Sequence, residues 1–211
     1  MEIRYLKSVD STHTYLKNYI KNNGYINPLC IVTNNQTSGI GSRGNSWIGV
    51  EGNLFFSFVV EKNSLPSDLQ IQSASIYFSY ILKKILKSLG SKLWLKWPND
   101  FYIENSKIGG TITTLSGNLL FCGIGLNLKS VNDDFTKLDI NIDMESLLNN
   151  YFAKIENKIS WEDVLKEYMV EFDRSKSLYA TINNERIPLI NAQLNSDGSI
   201  NINNKKVFSL R

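Results

Sequence analysis

Histidine and cysteine are nearly missing from this chain. His13 is the single histidine among 211 residues, and Cys30 and Cys122 are the two cysteines. With no paired Cys/His spacing and no paired-aspartate motif, a zinc or iron–sulfur site built by the protein is not expected, and neither is a disulfide framework. Both cysteines lie in apolar runs and read as buried free thiols of a reducing compartment. No apolar run approaches the ~18 residues of a membrane span. Met1-Glu2-Ile3-Arg4-Tyr5 carries no signal-peptide core, so a cytoplasmic location is expected. Basic residues number 23 against 20 acidic, a net charge of +3 with no dense block of either sign, which argues against a nucleic-acid surface. No Gly-x-Ser-x-Gly elbow is present, and Ser11, Thr12 and His13 fall within one helical turn, so a hydrolase triad is not supported.

What is present describes a folded protein. Hydrophobic residues make up 42% and charged residues 20%, and the length suits one sizeable core with a small appendage. Glu2 to Val9 reads as a strand, followed by a helix capped at Asp10 or Ser11 and stopped at Gly24. Leu29 to Thr33 is a second strand. A polar loop runs to about Asn53, and Leu54 to Val60 is apolar on both faces, as in a strand covered on both sides. The aromatics Phe55, Phe56 and Phe58 are read as core. The clearest helix spans about Asp68 to Leu89, ending at Gly90. Strands follow over Lys92–Trp97, Phe101–Ile103, Gly110–Leu115 and Asn118–Leu128, then helices over about Asp143–Ile155 and Ser160–Arg174. After Lys176, turn signals at Asn183-Asn184, Asp197-Gly198 and Asn203-Asn204 predict a small β module packed on the main body.

Two segments carry chemistry. In Lys96-Trp97-Pro98-Asn99-Asp100, a strand end and a turn bring amide, carboxylate and indole groups together. Lys107-Ile108-Gly109-Gly110 then sets a cation beside glycine-permitted backbone. Such a layout suits a small anion held close to the main chain; an ordinary hairpin with a solvated lysine is the plain alternative. The loop Gln36-Thr37-Ser38-Gly39-Ile40-Gly41-Ser42-Arg43-Gly44-Asn45-Ser46-Trp47 has free amides to wrap an anion, Arg43 as a fixed charge and Trp47 as a flat face for a base. Taken alone, these residues read slightly better as a flexible surface loop. It is not a Walker loop, since no Gly-Lys-Ser/Thr follows, nor a dinucleotide fingerprint, since no helix pattern follows. Gly123 and Gly125 taken alone mean a bulge or a close backbone contact.

The order of these pieces is more specific than any one of them. Ser-Thr at the first helix, Gln36 with the Gly/Arg loop ending in Trp47, Lys-Trp-Pro-Asn-Asp, Lys-Ile-Gly-Gly, then Gly-Ile-Gly-Leu-Asn together resemble the biotin protein ligase family, over about residues 8 to 129 and more weakly to the closing Phe208-Ser209-Leu210-Arg211. The resemblance implies an α+β fold, a mixed β-sheet with helices on one face over residues 1–175, and a small Src-homology-3-like β-barrel over 176–211. It implies activation of biotin by ATP to biotinyl-adenylate, then transfer to one lysine of a biotin carboxyl carrier domain. Carried over by position, Ser11, Thr12, His13, Gln36, Gly39, Ile40, Gly41, Ser42, Lys107 and Gly110 would contact biotin. Arg43, Trp47, Lys96, Asn99, Asn127 and Arg211 would contact ATP or the adenylate. Lys107 would bridge the carboxylate and α-phosphate, and Asp100 would orient or accept the proton of the incoming amine. Magnesium is expected through the phosphates, without a protein cluster.

The chain also departs from the pattern. The family loop in its fullest form is Gly-Arg-Gly-Arg-Arg-Gly, whereas Ile40 and Ser42 here leave only Arg43, so looser retention of the adenylate is expected. His13 stands where Asn is frequent. Ser-Thr beginning at residue 11 leaves no space for the helix-turn-helix of repressor-type members, so a ligase acting as monomer or homodimer is expected. A lipoate or octanoate ligase or transferase, or a binding protein without catalysis, are the alternatives.

Overall fold

The strand and helix order follows from where apolar residues alternate and where they recur every three to four positions. A computed structural model describes residues 1–41, 45–47, 49–129, 136–183 and 185–208. Strand β1 (Glu2–Leu6) is followed by helix α1 (Thr12–Asn23), then by strands β2 (Leu29–Thr33), β3 (Gly39–Ile40), β4 (Ser46–Trp47) and β5 (Leu54–Glu61). Helix α2 (Ala74–Ser88) leads to β6 (Trp94–Lys96), β7 (Asp100–Ile103), β8 (Ser106–Ser116) and β9 (Leu119–Leu126). Helices α3 (Met144–Glu156) and α4 (Trp161–Ser175) precede the short strands β10 (Tyr179–Ile182), β11 (Glu185–Pro188), β12 (Gln193–Leu194), β13 (Ile200–Ile202) and β14 (Lys205–Val207).

Seven strands form one mixed sheet in the order β1-β2-β5-β9-β8-β7-β6. Only β1 and β2 run parallel, joined by the α1 crossover; the other neighbours are antiparallel. The expected mixed sheet is therefore present, with one correction: the helices do not all share a face. Leu29 and Ile31 of β2, Val59 of β5 and Phe121 of β9 pack with Leu16 and Ile20 of α1. Their alternate neighbours, Cys30, Val32, Phe56, Phe58, Leu120 and Cys122, pack into the larger core with α2, α3 and α4. Period-two alternation on strands buried on both sides makes this division possible. In the larger core, Phe58 stands edge-on to Phe78, Tyr151 and Phe152, and such pairs add about 0.5–1.5 kcal/mol each beyond area burial.

Other expectations shift at their edges. The helix expected from Asp68 begins only after a 3-10 turn, Ile71–Ser73. The polar loop after Asn34 contains a two-rung hairpin pairing Gly39 with Trp47 and Ile40 with Ser46. Lys107 does not precede a strand but lies inside β8, opposite Tyr102, where the β7–β8 register shifts.

The C-terminal segment forms two small antiparallel sheets, β10-β11 and β12-β13-β14, consistent with the small barrel expected. Ala180, Ile182, Leu189, Ala192, Ile200 and Ile202 join the larger core, and the Trp161 and Trp97 indoles donate to Ser196 O and Gly198 O at 2.8 and 3.0 Å. The module is thus docked by buried apolar and hydrogen-bonded contacts. Among the described residues, no helix is long and apolar enough to cross a membrane.

Candidate active site

The N-terminus of α1 starts the site. Ser11 caps the helix, its Oγ accepting from the Thr14 amide at 3.4 Å, which leaves Ser11, Thr12 and His13 in the first turn, all buried. The segment after β2 runs beside this turn, with Thr37 N donating to Val9 O and Ser38 N to Asp10 O. Gln36 is thereby brought to Thr12, and its Oε1 accepts from the Thr12 amide at 2.8 Å and from Thr12 Oγ1 at 3.0 Å. Thr12 Oγ1 also lies 2.8 Å from Ser57 Oγ on β5. His13 Nε2 lies 3.3 Å from Thr114 Oγ1 of β8. Burial, with Lys17 nearby, pushes the His13 imidazole down to about 4, so the ring is neutral near pH 7.

The other end is built on the β6–β7 turn. Trp97 is buried and precedes Pro98 through a cis peptide. Trp97 N donates to Ser175 Oγ at 3.0 Å and Tyr168 OH to Pro98 O at 3.0 Å, so α4 clamps the turn from behind. The Asn99 side chain donates to Thr111 O, and Thr111 N returns a bond to Asn99 O at 3.2 Å. Asp100 then faces two cations: Lys107 Nζ at 2.6 Å on Oδ1 and Lys96 Nζ at 3.5 Å on Oδ2. Lys107 remains 41% exposed while Lys96 is 11% exposed. Burial holds the Lys96 ammonium below the usual lysine range; Lys107 and Arg186 push the same way, against Asp100.

Between these ends runs a cleft of about 350 Å³. Of the residues expected at the site, Ser11, Thr12, His13, Gln36, Ile40, Gly41, Trp47, Asn99, Asp100, Lys107, Gly110 and Asn127 line it. Gly39 sits just behind, against Gln36 and the Trp47 backbone. Lys96 faces an adjoining polar cleft of about 620 Å³ that shares His13, Asn99, Asp100 and Lys107. Ser42, Arg43 and Arg211 lie outside the described residues. Asn127 is fixed by its own N–H on Ile108 O at 2.7 Å, and Asn53 Nδ2 donates to its Oδ1 at 3.4 Å.

The fold brings in residues that the sequence did not single out. Phe55 is not plain core: it alternates away from Phe56 and Phe58 to form a wall of the cleft. There it packs so closely on Gly49 that a Cβ at 49 would lie 2.3 Å from its ring. Ser57, the one hydroxyl inside the apolar run Leu54–Val60, lines the cleft and was not singled out from the sequence. Thr111, whose Oγ1 accepts from Ser79 Oγ at 2.7 Å, gave no sequence signal. Gly123 and Gly125 let the cleft reach the sheet, since a Cβ at Gly125 would stand 3.3 Å from the Trp47 ring.

Among the described residues, two buried side-chain polar atoms lack a partner, His13 Nδ1 and Trp47 Nε1, and both belong to this cleft. Buried polar atoms are normally paired, and both exceptions belong to residues that line the cleft.

The model of the biotin/lipoate A/B protein ligase family matches residues 5–127. The chain belongs to that family. Within it, the chain is 30% identical over 132 residues to the bifunctional ligase/repressor BirA of Escherichia coli (strain K12), covering 58% of this chain and 39% of that protein. It therefore spans about two-fifths of that curated relative. The structure of the biotin acetyl coenzyme A carboxylase synthetase from Helicobacter pylori, with bound biotinylated ATP, superposes with a TM-score of 0.93 at 39% identity. That match covers 98% of this chain and 99% of the synthetase. The biotin protein ligase of Aquifex aeolicus, solved with biotin and ATP, shares the fold, at TM-score 0.67 and 22% identity over 100% of this chain and 96% of that one.

Proposed function

We propose that this protein is a biotin–[acetyl-CoA-carboxylase] ligase, activating biotin with ATP and transferring it to a lysine of a biotin carboxyl carrier domain. The observation that carries the reading is the near-complete superposition on the Helicobacter pylori synthetase, whose structure holds biotinylated ATP. The geometry of the cleft supports the same roles. Residues 1–175 supply the catalytic unit and residues 176–211 a bracing module.

In the first step a biotin carboxylate oxygen attacks the α-phosphorus of ATP and pyrophosphate leaves. Two anions must approach, so the site has to neutralise charge where it develops rather than provide a nucleophile. Lys107 and Lys96 share the single carboxylate of Asp100, so this cluster of three side chains carries one positive charge in excess. Lys107 is the mobile member, half-exposed and held by one carboxylate oxygen, and it exchanges Asp100 for the carboxylate–phosphate junction. The Gly110 backbone permits that approach: a Cβ there would stand 3.3 Å from Asp100 Oδ1 and 3.5 Å from Lys107 Nζ. Ser11, Thr12, Gln36 and the Gly39-Ile40-Gly41 strand hold the biotin head. Trp47, Asn99 and Asn127 hold the adenosine side, joined by Arg43 and Arg211.

Magnesium, when bound, would shield the phosphates of ATP. The donor set fits only that indirect mode: Asp100, the one carboxylate among the described residues that line the cleft, is already paired with two lysines. No group of three or more His, Cys, Asp or Glu side chains among the described residues is placed to hold an ion. In the second step the carrier amine attacks the acyl carbon, AMP leaves and one proton departs; the position of Asp100 in the cleft beside Lys107 supports its taking that proton. The two buried thiols fit a cytoplasmic setting.

The test is incubation with ATP, magnesium, biotin and a carrier domain, scoring pyrophosphate exchange and carrier labelling separately. Lys107→Ala should lower exchange about 10²–10³-fold, as for loss of one transition-state charge donor. Exchange driven by lipoate and not biotin would replace the reading with its nearest rival, and biotin binding without exchange would remove catalysis. Asp100→Asn that transfers biotin at the wild-type rate would remove its role in the second step.

A further inference from the structure

We infer that the polar cleft of about 620 Å³ is where the carrier domain docks. Lys17 of α1 and Arg186 of β11 receive acidic residues that flank its acceptor lysine. The inference rests on the biotin reading and deepens it by giving the macromolecular substrate a surface.

The two clefts meet at one place. Asn99, Asp100 and Lys107 line both of them. An adenylate in the 350 Å³ cleft occupies one approach to that junction, and the larger cleft supplies the other. The larger one also has walls of its own. Helix α1 contributes Lys17 and Asn18, β8 contributes Thr113 and Thr114, and β10 contributes Thr181. Lys17, Asn18 and Thr181 are exposed, so the cleft opens at the protein surface.

Charge decides what docks there. The charged residues of the described lining are Lys17, Lys96 and Lys107 against Asp100 alone, and the His13 ring is neutral near pH 7. Arg186 adds a fourth cation at the rim. It pairs with Thr181 across the β10–β11 ladder, and directly opposed residues of an antiparallel pair project from the same face. Its charge reaches Lys96, as the lowered ammonium there records. The Arg186 guanidinium lies 4.5 Å from the centre of the Tyr179 ring, and Tyr179 is 46% exposed. Tyrosine and arginine are the side-chain types enriched among the anchors of protein interfaces. A carrier with acidic residues beside its lysine meets excess positive charge along this route, whereas a basic flank is repelled. Such complementarity acts chiefly on association rate and partner choice.

The experiment forms biotinyl-adenylate on the enzyme from biotin, ATP and magnesium, then follows transfer to a carrier domain with acidic residues beside its lysine. Lys17→Glu with Arg186→Glu should raise the carrier concentration for half-maximal transfer about tenfold, through slower association. Biotin-dependent pyrophosphate exchange, and transfer to hydroxylamine as a small amine, should stay at the wild-type level. Changing the carrier's flanking acids to lysine should weaken transfer by wild type and restore it with the double variant. Wild-type transfer indifferent to that carrier change would overturn the inference without any enzyme variant having to fold. So would an unchanged carrier requirement in a double variant that still exchanges pyrophosphate, or an equal loss with hydroxylamine and carrier. Reversals that weaken pyrophosphate in the exchange, and not the carrier, would assign the cleft to the nucleotide's phosphates instead. If wild type shows no biotin-dependent exchange, the biotin reading falls and this inference with it; exchange with a carrier requirement blind to these charges removes the docking surface alone.

Discussion

Moving the solution from pH 7 to pH 4 should remove a defined part of the stability of this protein through His13. The ring is buried edge-on to Phe121 and beside Thr114 of β8, and its ionisation is pushed from 6.5 down to about 4. In the unfolded chain it titrates at about 6.5. The sign follows from the depression: above pH ~6.5 both states carry a neutral ring and His13 adds no pH dependence. As pH falls below that, the unfolded state takes up the proton first, and stability is lost until about pH 4, where the folded ring is protonated too. At about 1.4 kcal/mol per pH unit the full loss is on the order of 3 kcal/mol, a large share of the 5–15 kcal/mol typical of a domain. Urea denaturation of wild type and His13→Asn at pH 7, 6, 5 and 4 would measure it. Carboxylates held low by their partners, Asp139, Glu167 and Asp197, also lose their contribution toward acid pH, but they do so in both proteins and cancel in the difference. The wild-type curve should fall away from that of the variant between pH 6.5 and 4. Parallel curves would mean that the imidazole is solvated in the folded state, and the burial of His13 in the first turn of α1 would be wrong.

Glycine substitutions should separate the cleft from the sheet. Gly123→Ala should weaken biotin binding by tenfold or more while leaving the melting temperature within a few degrees, since its new methyl pushes on Ile112, Ser57 and His13 of the cleft lining at 3.1–3.2 Å; unchanged binding would show that this part of the lining does not meet the ligand. Gly109→Ala, whose Cβ would stand 2.6 Å from Gly125 O, should instead lower stability by about 1–3 kcal/mol through overpacking, read by denaturant midpoint. Lys83→Met should cost about 3–5 kcal/mol by the same measurement. It leaves the largely enclosed Glu171 carboxylate, 11% exposed and now 2.5 Å from Lys83 Nζ, without its cation.

The helices and central strands were legible because their apolar residues repeat at 3.6 or 2 and their caps are explicit: Ser11, Gly24, Asp143 and Ser160 all sit at or within a residue of the expected ends. The delayed start of α2 was not, because Gln70 to Ser73 carries the same apolar stripe through a 3-10 turn. The face taken by α1 was also hidden. Strands apolar on both sides state that both faces are covered and leave open which helix covers which. At the site, Lys107, Asp100 and Trp47 were readable as motif residues, whereas the pairing of both lysines with one carboxylate depends on strand register. Register shifts at Phe101/Tyr102 have no local signature. Ser57 and Thr111 became visible only when β5, β8 and β9 were laid side by side.

Every described wall of the 350 Å³ cleft comes from residues 11–127, yet the turn bearing Asn99 and Asp100 is anchored by Tyr168, Ser175 and Gly198. Residues 168–198 thus act on the site from behind, as a vice acts on a workpiece. Loosening α4 or the small sheets would blur the aim of the carboxylate before it unfolded the site. Variants far from the cleft in residues 168–198 should accordingly surface first as slow enzymes, and only later as unstable ones.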